Sequence, residues 1–125
     1  MMENSDLTAQ WEEVESMLTE RFGKTPNLET ILFLIGIQEL GQVRKKFTKE
    51  QKEDLMHIAM CTILSPDGYY HLEKYDEEGW PHFKEMKKVH GMKLEEQEHF
   101  LKQHIIAYFR THHNLTRVDL HGVHH

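Results

Sequence analysis

The sequence predicts a mainly α protein: a four-helix core with a small β-hairpin inserted between helices 3 and 4. Three observations lead there. Asn27 to Leu40, NLETILFLIGIQEL, is apolar on almost every side, which reads as a helix buried nearly all round. Three other stretches repeat apolar residues at helical spacing. Between the last two of these lies an aromatic-rich run, YYHLEKYDEEGWPHF, with turn chemistry at its centre.

The 125 residues fit one domain, taken as a helical domain over 1–111 with the hairpin at about 69–84 and a His-rich tail over 112–125. The central apolar run is too short for a membrane span, which needs ~20 residues, and Glu29, Gln38 and Glu39 interrupt it. A formal charge of −6 argues against nucleic acid as the main partner, because phosphate binding wants a basic surface. The eleven histidines soften that only below pH of about 6.5, where they begin to charge. A single cysteine, Cys61, excludes an internal disulfide and suits a reducing compartment. The start, MMENSDLTAQ, has neither a basic nor an apolar signal region. The expectation is a soluble cytoplasmic protein that engages neither nucleic acid nor membrane.

The first helix starts near Asn4 or Ser5 and runs to about Phe22, with Leu7, Trp11, Val14 and Leu18 as its stripe. Gly23 sits where a left-handed C-terminal cap belongs. Thr25 is expected to cap the central helix, with Pro26 at its first position and Gly41 at its end. The short link between these two helices predicts antiparallel neighbours. Arg44, Lys45 and Lys46 in the next connector read as solvation and a complement to a helix end. Thr48-Lys49-Glu50-Gln51 is a capping box, opening a third helix to about Leu64 with Leu55, Ile58, Ala59 and Ile63 inward. Ser65-Pro66-Asp67-Gly68 stops it. The hairpin is placed at Tyr70–Tyr75 against Trp80–Lys84, turned by Asp76-Glu77-Glu78-Gly79, with Pro81 keeping the second strand at an edge. A fourth helix spans about Leu94 to Thr111, with Leu94, Leu101, Ile105, Tyr108 and Phe109 on one side. The tail alternates Thr116, Val118 and Leu120 and reads as extended.

The run from Thr25 to Phe109 resembles a small, mainly helical bacterial protein family without an assigned function, so the resemblance implies no activity. Val118-Asp119-Leu120-His121-Gly122 is similar to the DLHG motif of Smr-type nuclease domains, over those five residues only, and is read as coincidence.

Several residues could carry chemistry. Asp54/His57 and Glu96/His99 each place a carboxylate three residues before a histidine, the spacing of di-iron carboxylate bundles, where Glu39 and Glu13 could supply further ligands. Both pairs, however, point away from the apolar stripe of their own helix, and solvated helix faces are the preferred reading. Glu39 falls within the apolar stripe of the central helix, so it must be paired, protonated or in water at the helix end. Cys61 with His57 at i and i+4 imitates a thiolate–imidazole pair, though a mid-helix cysteine among apolar residues reads as packing. The terminal histidines His112, His113, His121, His124 and His125 are read as a tail rather than a metal site.

The hairpin remains. Tyr70, Tyr75, Trp80 and Phe83 are the binding candidates, because such aromatics dominate interface hot spots. The competing reading has them roofing the helices. The sequence therefore predicts a non-enzymatic protein-interaction module with a protein partner or a second copy of itself, and no cofactor. The alternative is an enzyme or metal-binding protein using Glu39 with His57, or Asp54/His57 with Glu96/His99.

Overall fold

In the computed structural model, which describes residues 4–41, 46–89 and 91–111, the order is α1 (Asn4–Phe22), α2 (Leu28–Leu40), α3 (Lys49–Leu64), a 3-10 turn (Ser65–Asp67), β1 (Tyr70–Tyr75), β2 (Pro81–Glu85) and α4 (Leu94–Thr111). The protein is mainly helical, with a two-stranded antiparallel hairpin between the third and fourth helices. Among the described residues, no helix is long and apolar enough to cross a membrane. The Arg44–Lys45 part of the basic connector and the His-rich tail, expected to be extended, lie outside the described residues.

The chain divides into two compact units, one holding α1 and α4, the other α2, α3 and the hairpin. In the first, α1 packs on α4. Leu7, Trp11, Val14 and Leu18 are buried on α1, and Ile105, Ile106, Tyr108 and Phe109 on α4. Leu94 departs from the expected stripe: it opens α4 and is 79% exposed. The first residue of a helix has no preceding turn to lie against, so helical spacing alone does not bury it.

In the second unit α2 packs along α3. The consecutive burial of Leu34, Ile35, Gly36 and Ile37 matches a helix covered nearly all round. Gly36 marks a close approach, since a Cβ there would strike the backbone carbonyl of Leu55. The cap of α2 differs from expectation. Asn27, not Thr25, is the N-cap, its side chain accepting from the Thr30 N–H at 2.8 Å. Thr25 instead pairs its hydroxyl with that of Thr19, also at 2.8 Å. Asparagine wins because its amide oxygen reaches the third N–H from just before the first helical turn. Gly41 ends α2 at φ 71°, and its N–H donates to Ile37 O. The capping box of α3 is present in both directions, with Gln51 N–H donating to Thr48 Oγ1 and Thr48 N–H to Gln51 Oε1.

Candidate functional site

The hairpin is organised by one side chain at its tip. Asp76 Oδ1 accepts from the backbone N–H groups of Glu78 and Trp80, both at 2.9 Å. His82 Nε2–H donates to Asp76 Oδ2, also at 2.9 Å. These bonds stabilise the charged carboxylate, and the His82 contact foremost holds its pKa below the ordinary value. The Gly79 N–H donates to Asp76 O, and Gly79 adopts φ 88°, the left-handed conformation of a glycine bulge closing a type I turn. The pairing of Tyr75 with Pro81 and of Lys74 with His82 then sets the register. A second irregularity falls between Leu72 and Lys74.

The hairpin packs against α3 through both strands. Asp54 and His57 on this helix are nevertheless exposed, as expected of a solvated face. His57 stands edge-on to Tyr70, ring centroids 6.3 Å apart. The Cys61 thiol reaches His57 Nε2 at 3.5 Å. Cys61 is fully buried, and its pKa is pushed up to about 11, first by burial and then by the Glu85 charge. At neutral pH Cys61 is a thiol, so the imitation of a thiolate–imidazole pair ends there. Burial foremost, followed by Cys61 and Glu85, also raises the Tyr70 phenol.

Two open clefts flank the hairpin and share Pro81 and Phe83 as a common wall. The first, about 410 Å³, lies between α3 and the hairpin. Gln51, Asp54 and His57 line one side, and Asp76, Trp80 and His82 the other. The second, about 350 Å³, is lined by Glu39 from α2, Thr62 from α3 and Ser65 after it, and by Tyr70, His71, Leu72 and Tyr75. The four aromatic candidates are thus distributed: Trp80 on the first cleft, Tyr70 and Tyr75 on the second, Phe83 on both. None of the four is fully buried, and Tyr75 is 60% exposed. Pro81, by contrast, is buried, and it anchors β2 where Trp80 was expected to start the strand.

The residues of the alternative site are spread over different elements. Glu39 lines the second cleft and His57 the first. Asp54 and His57 belong to the unit of α2, α3 and the hairpin, while Glu96 and His99 belong to that of α1 and α4. Glu96 Oε1 is engaged by the Lys93 N–H at 2.9 Å, as a helix-start acceptor. His99 borders a groove of about 440 Å³ with Trp11 and Glu98, where Lys102 lies 5.2 Å over the Trp11 ring and 3.1 Å from Glu98. Among the described residues no group of three or more histidine, cysteine, aspartate or glutamate side chains could hold a metal ion.

Sequence reasoning named the aromatics and Glu39 separately and did not join them. It also passed over His82 and Asp76 as partners. The Asp76-to-His82 spacing was the available signal, because a bulged four-residue turn returns the second strand beside the first turn residue. Compared with known proteins, the chain matches no family model, no curated protein and no solved structure.

Proposed function

We propose that this protein is a non-enzymatic interaction module that binds a protein partner through the hairpin aromatics Tyr70, Tyr75, Trp80 and Phe83. The observation that supports this is their distribution: four rings, none fully buried, line two clefts that open to water on either side of Pro81 and Phe83. A roof on a helical core would bury its rings; a contact surface leaves them half-covered and anchored at one edge. The clefts suit side chains of a partner better than they suit acid–base chemistry, which profits from exclusion of water.

Trp80→Ala and Tyr75→Ala test the reading together. Both variants are expected to lose a partner captured from the native host that the unaltered chain retains. Tyr75→Ala should leave stability within about 0.5 kcal/mol, as a mostly exposed ring. Trp80→Ala should cost about 1–2 kcal/mol, less than the 3–5 of a buried large aromatic. Retained binding in both variants, with a Trp80→Ala loss at the buried-ring level, would show that the rings are a roof.

A further inference from the structure

β1 carries an arrangement that is complementary to itself. Among the described residues the sheet has two strands, so β1 pairs along one edge only. His71 to Tyr75 are all exposed, with Leu72 at 37% and Tyr75 at 60%. Residues opposite each other across two strands share a face, and so do residues two apart on one strand. Leu72 is opposite Phe83 and Tyr75 opposite Pro81, so all four lie on one face, that of the buried Pro81. Leu72 and Tyr75 are three apart and would diverge on a regular strand; the irregularity between Leu72 and Lys74 brings them together. Glu73 and Lys74 stand between them, and among the described residues neither has an ion-pair partner. The order Leu-Glu-Lys-Tyr is therefore its own complement when reversed, apolar against apolar and acid against base.

We propose that a second copy of this chain adds to the outer edge of β1, antiparallel about a two-fold axis that sets Glu73 opposite Lys74 and Leu72 opposite Tyr75. Each contact then occurs twice, as a two-fold interface requires. The two hairpins become one four-stranded sheet with both β1 strands at its centre, and a marginal two-stranded ribbon gains the width of a stable sheet. Leu72, Tyr75 and Phe83 line the second cleft, so Leu72 and Tyr75 of the second copy, on the same face, extend over it. The inference rests on the hairpin-binding reading and names one partner of that surface. Charged side chains and a bulge on an edge ordinarily turn foreign strands away. Here they select, because a strand with its charges in the other order sets like against like directly across the ladder. A 6-residue edge buries less than the ~1,600 Å² of a standard interface, so the dimer is reversible and half-assembled at roughly 10–100 µM.

The test is sedimentation velocity of the full chain from about 5 to 500 µM, in about 0.15 M salt to screen the repulsion between two chains of −6. The mass is expected to rise from 15.0 kDa toward twice that value. Glu73→Lys and Lys74→Glu, both at exposed positions, should each weaken the dimer about 10-fold, since two attractive pairs become repulsive. An equimolar mixture of the two variants should assemble to within about 3-fold of the unaltered chain, because opposite charges again face each other across the axis. Mixed isotope labelling should show contacts between the Leu72 methyls of one copy and the Tyr75 ring of the other. A chain that stays monomeric throughout would overturn the proposal, as would a dimer that neither swap weakens or that the mixture fails to restore. Leu72 methyl contacts to Val118 or Leu120 within a monomer would give the edge to the chain's own tail and overturn it as well. None of these outcomes touches the hairpin-binding reading, which stands or falls on capture by the Trp80 and Tyr75 variants.

Discussion

At the scale of single residues, the clearest consequence concerns Cys61. Burial within α3, with the charge of Glu85 as the lesser cause, places its pKa at about 11 against an ordinary 9.0. The fold therefore favours the neutral thiol. The contribution is fully present below pH 9.0 and is lost as pH rises from there toward about 11. Two measurements follow from one cause. Iodoacetamide at pH near 8 should label the native chain far more slowly than the unfolded chain, because both access and thiolate are denied. The melting temperature should fall above pH 9 in the unaltered chain, and less so in Cys61→Ala once its own baseline is subtracted. Native labelling at the unfolded rate would show that the thiol is neither buried nor protonated as described. Asp76 illustrates the opposite use of a polar group. It is only half-buried, yet its three hydrogen bonds tie the turn, the start of β2 and His82 to one carboxylate.

At the scale of elements, the α2–α3 contact determines how the helices meet. Gly36 lies in the middle of a helix, where glycine costs about 1 kcal/mol relative to alanine. Propensity alone would make Gly36→Ala stabilising. Packing reverses the sign, because the obstacle to a Cβ is the backbone carbonyl of Leu55, which cannot rotate aside as a side chain could. Overpacking costs about 1–3 kcal/mol, and a backbone obstacle puts this site at the upper end, for a net loss of about 2 kcal/mol. Leu32→Ala, a buried leucine on the same helix, should cost about 2–5 kcal/mol by leaving a cavity. Denaturant melts of the two variants check both. A stabilised Gly36→Ala would mean that α2 and α3 sit farther apart, and a Leu32→Ala loss under about 1 kcal/mol would mean that α2 is poorly covered. The hairpin depends on α3 in a similar way, since two strands alone are marginal in water and this pair has a helix to pack on.

At the scale of the whole molecule, charge governs association. The chain carries −6 with its histidines neutral, and its eleven histidines outnumber that deficit. Acidification through the histidine range therefore reverses the sign of the net charge, with the isoelectric point near 6.0. Solubility should pass through a minimum close to pH 6 and recover on both sides, as turbidity at fixed concentration will show. A monotonic rise in solubility from pH 7 down to 5 would contradict it.

The helices, the capping box of α3 and the hairpin were legible in the sequence because local signals determine them. Thr48 and Gln51 cap each other across three residues, and Asp76 to Gly79 can close a turn without any distant contact. The burial of α2 was legible for a related reason: a helix apolar on every side has no stable exposed orientation. The choice of Asn27 over Thr25 as cap was not legible, since both are competent and their surroundings decide between them. Nor was the role of Gly36, which looks like a propensity cost until the Leu55 carbonyl is seen beside it. The candidate site divides along the same line. Tyr70, Tyr75, Trp80 and Phe83 could be named from composition, whereas their separation into two clefts could not. That separation, and the meeting of Tyr70 and Tyr75 with Glu39, depend on the hairpin folding back onto α3 near the end of α2. Residues thirty or more positions apart meet only when helices and strands pack, and no local periodicity encodes that meeting.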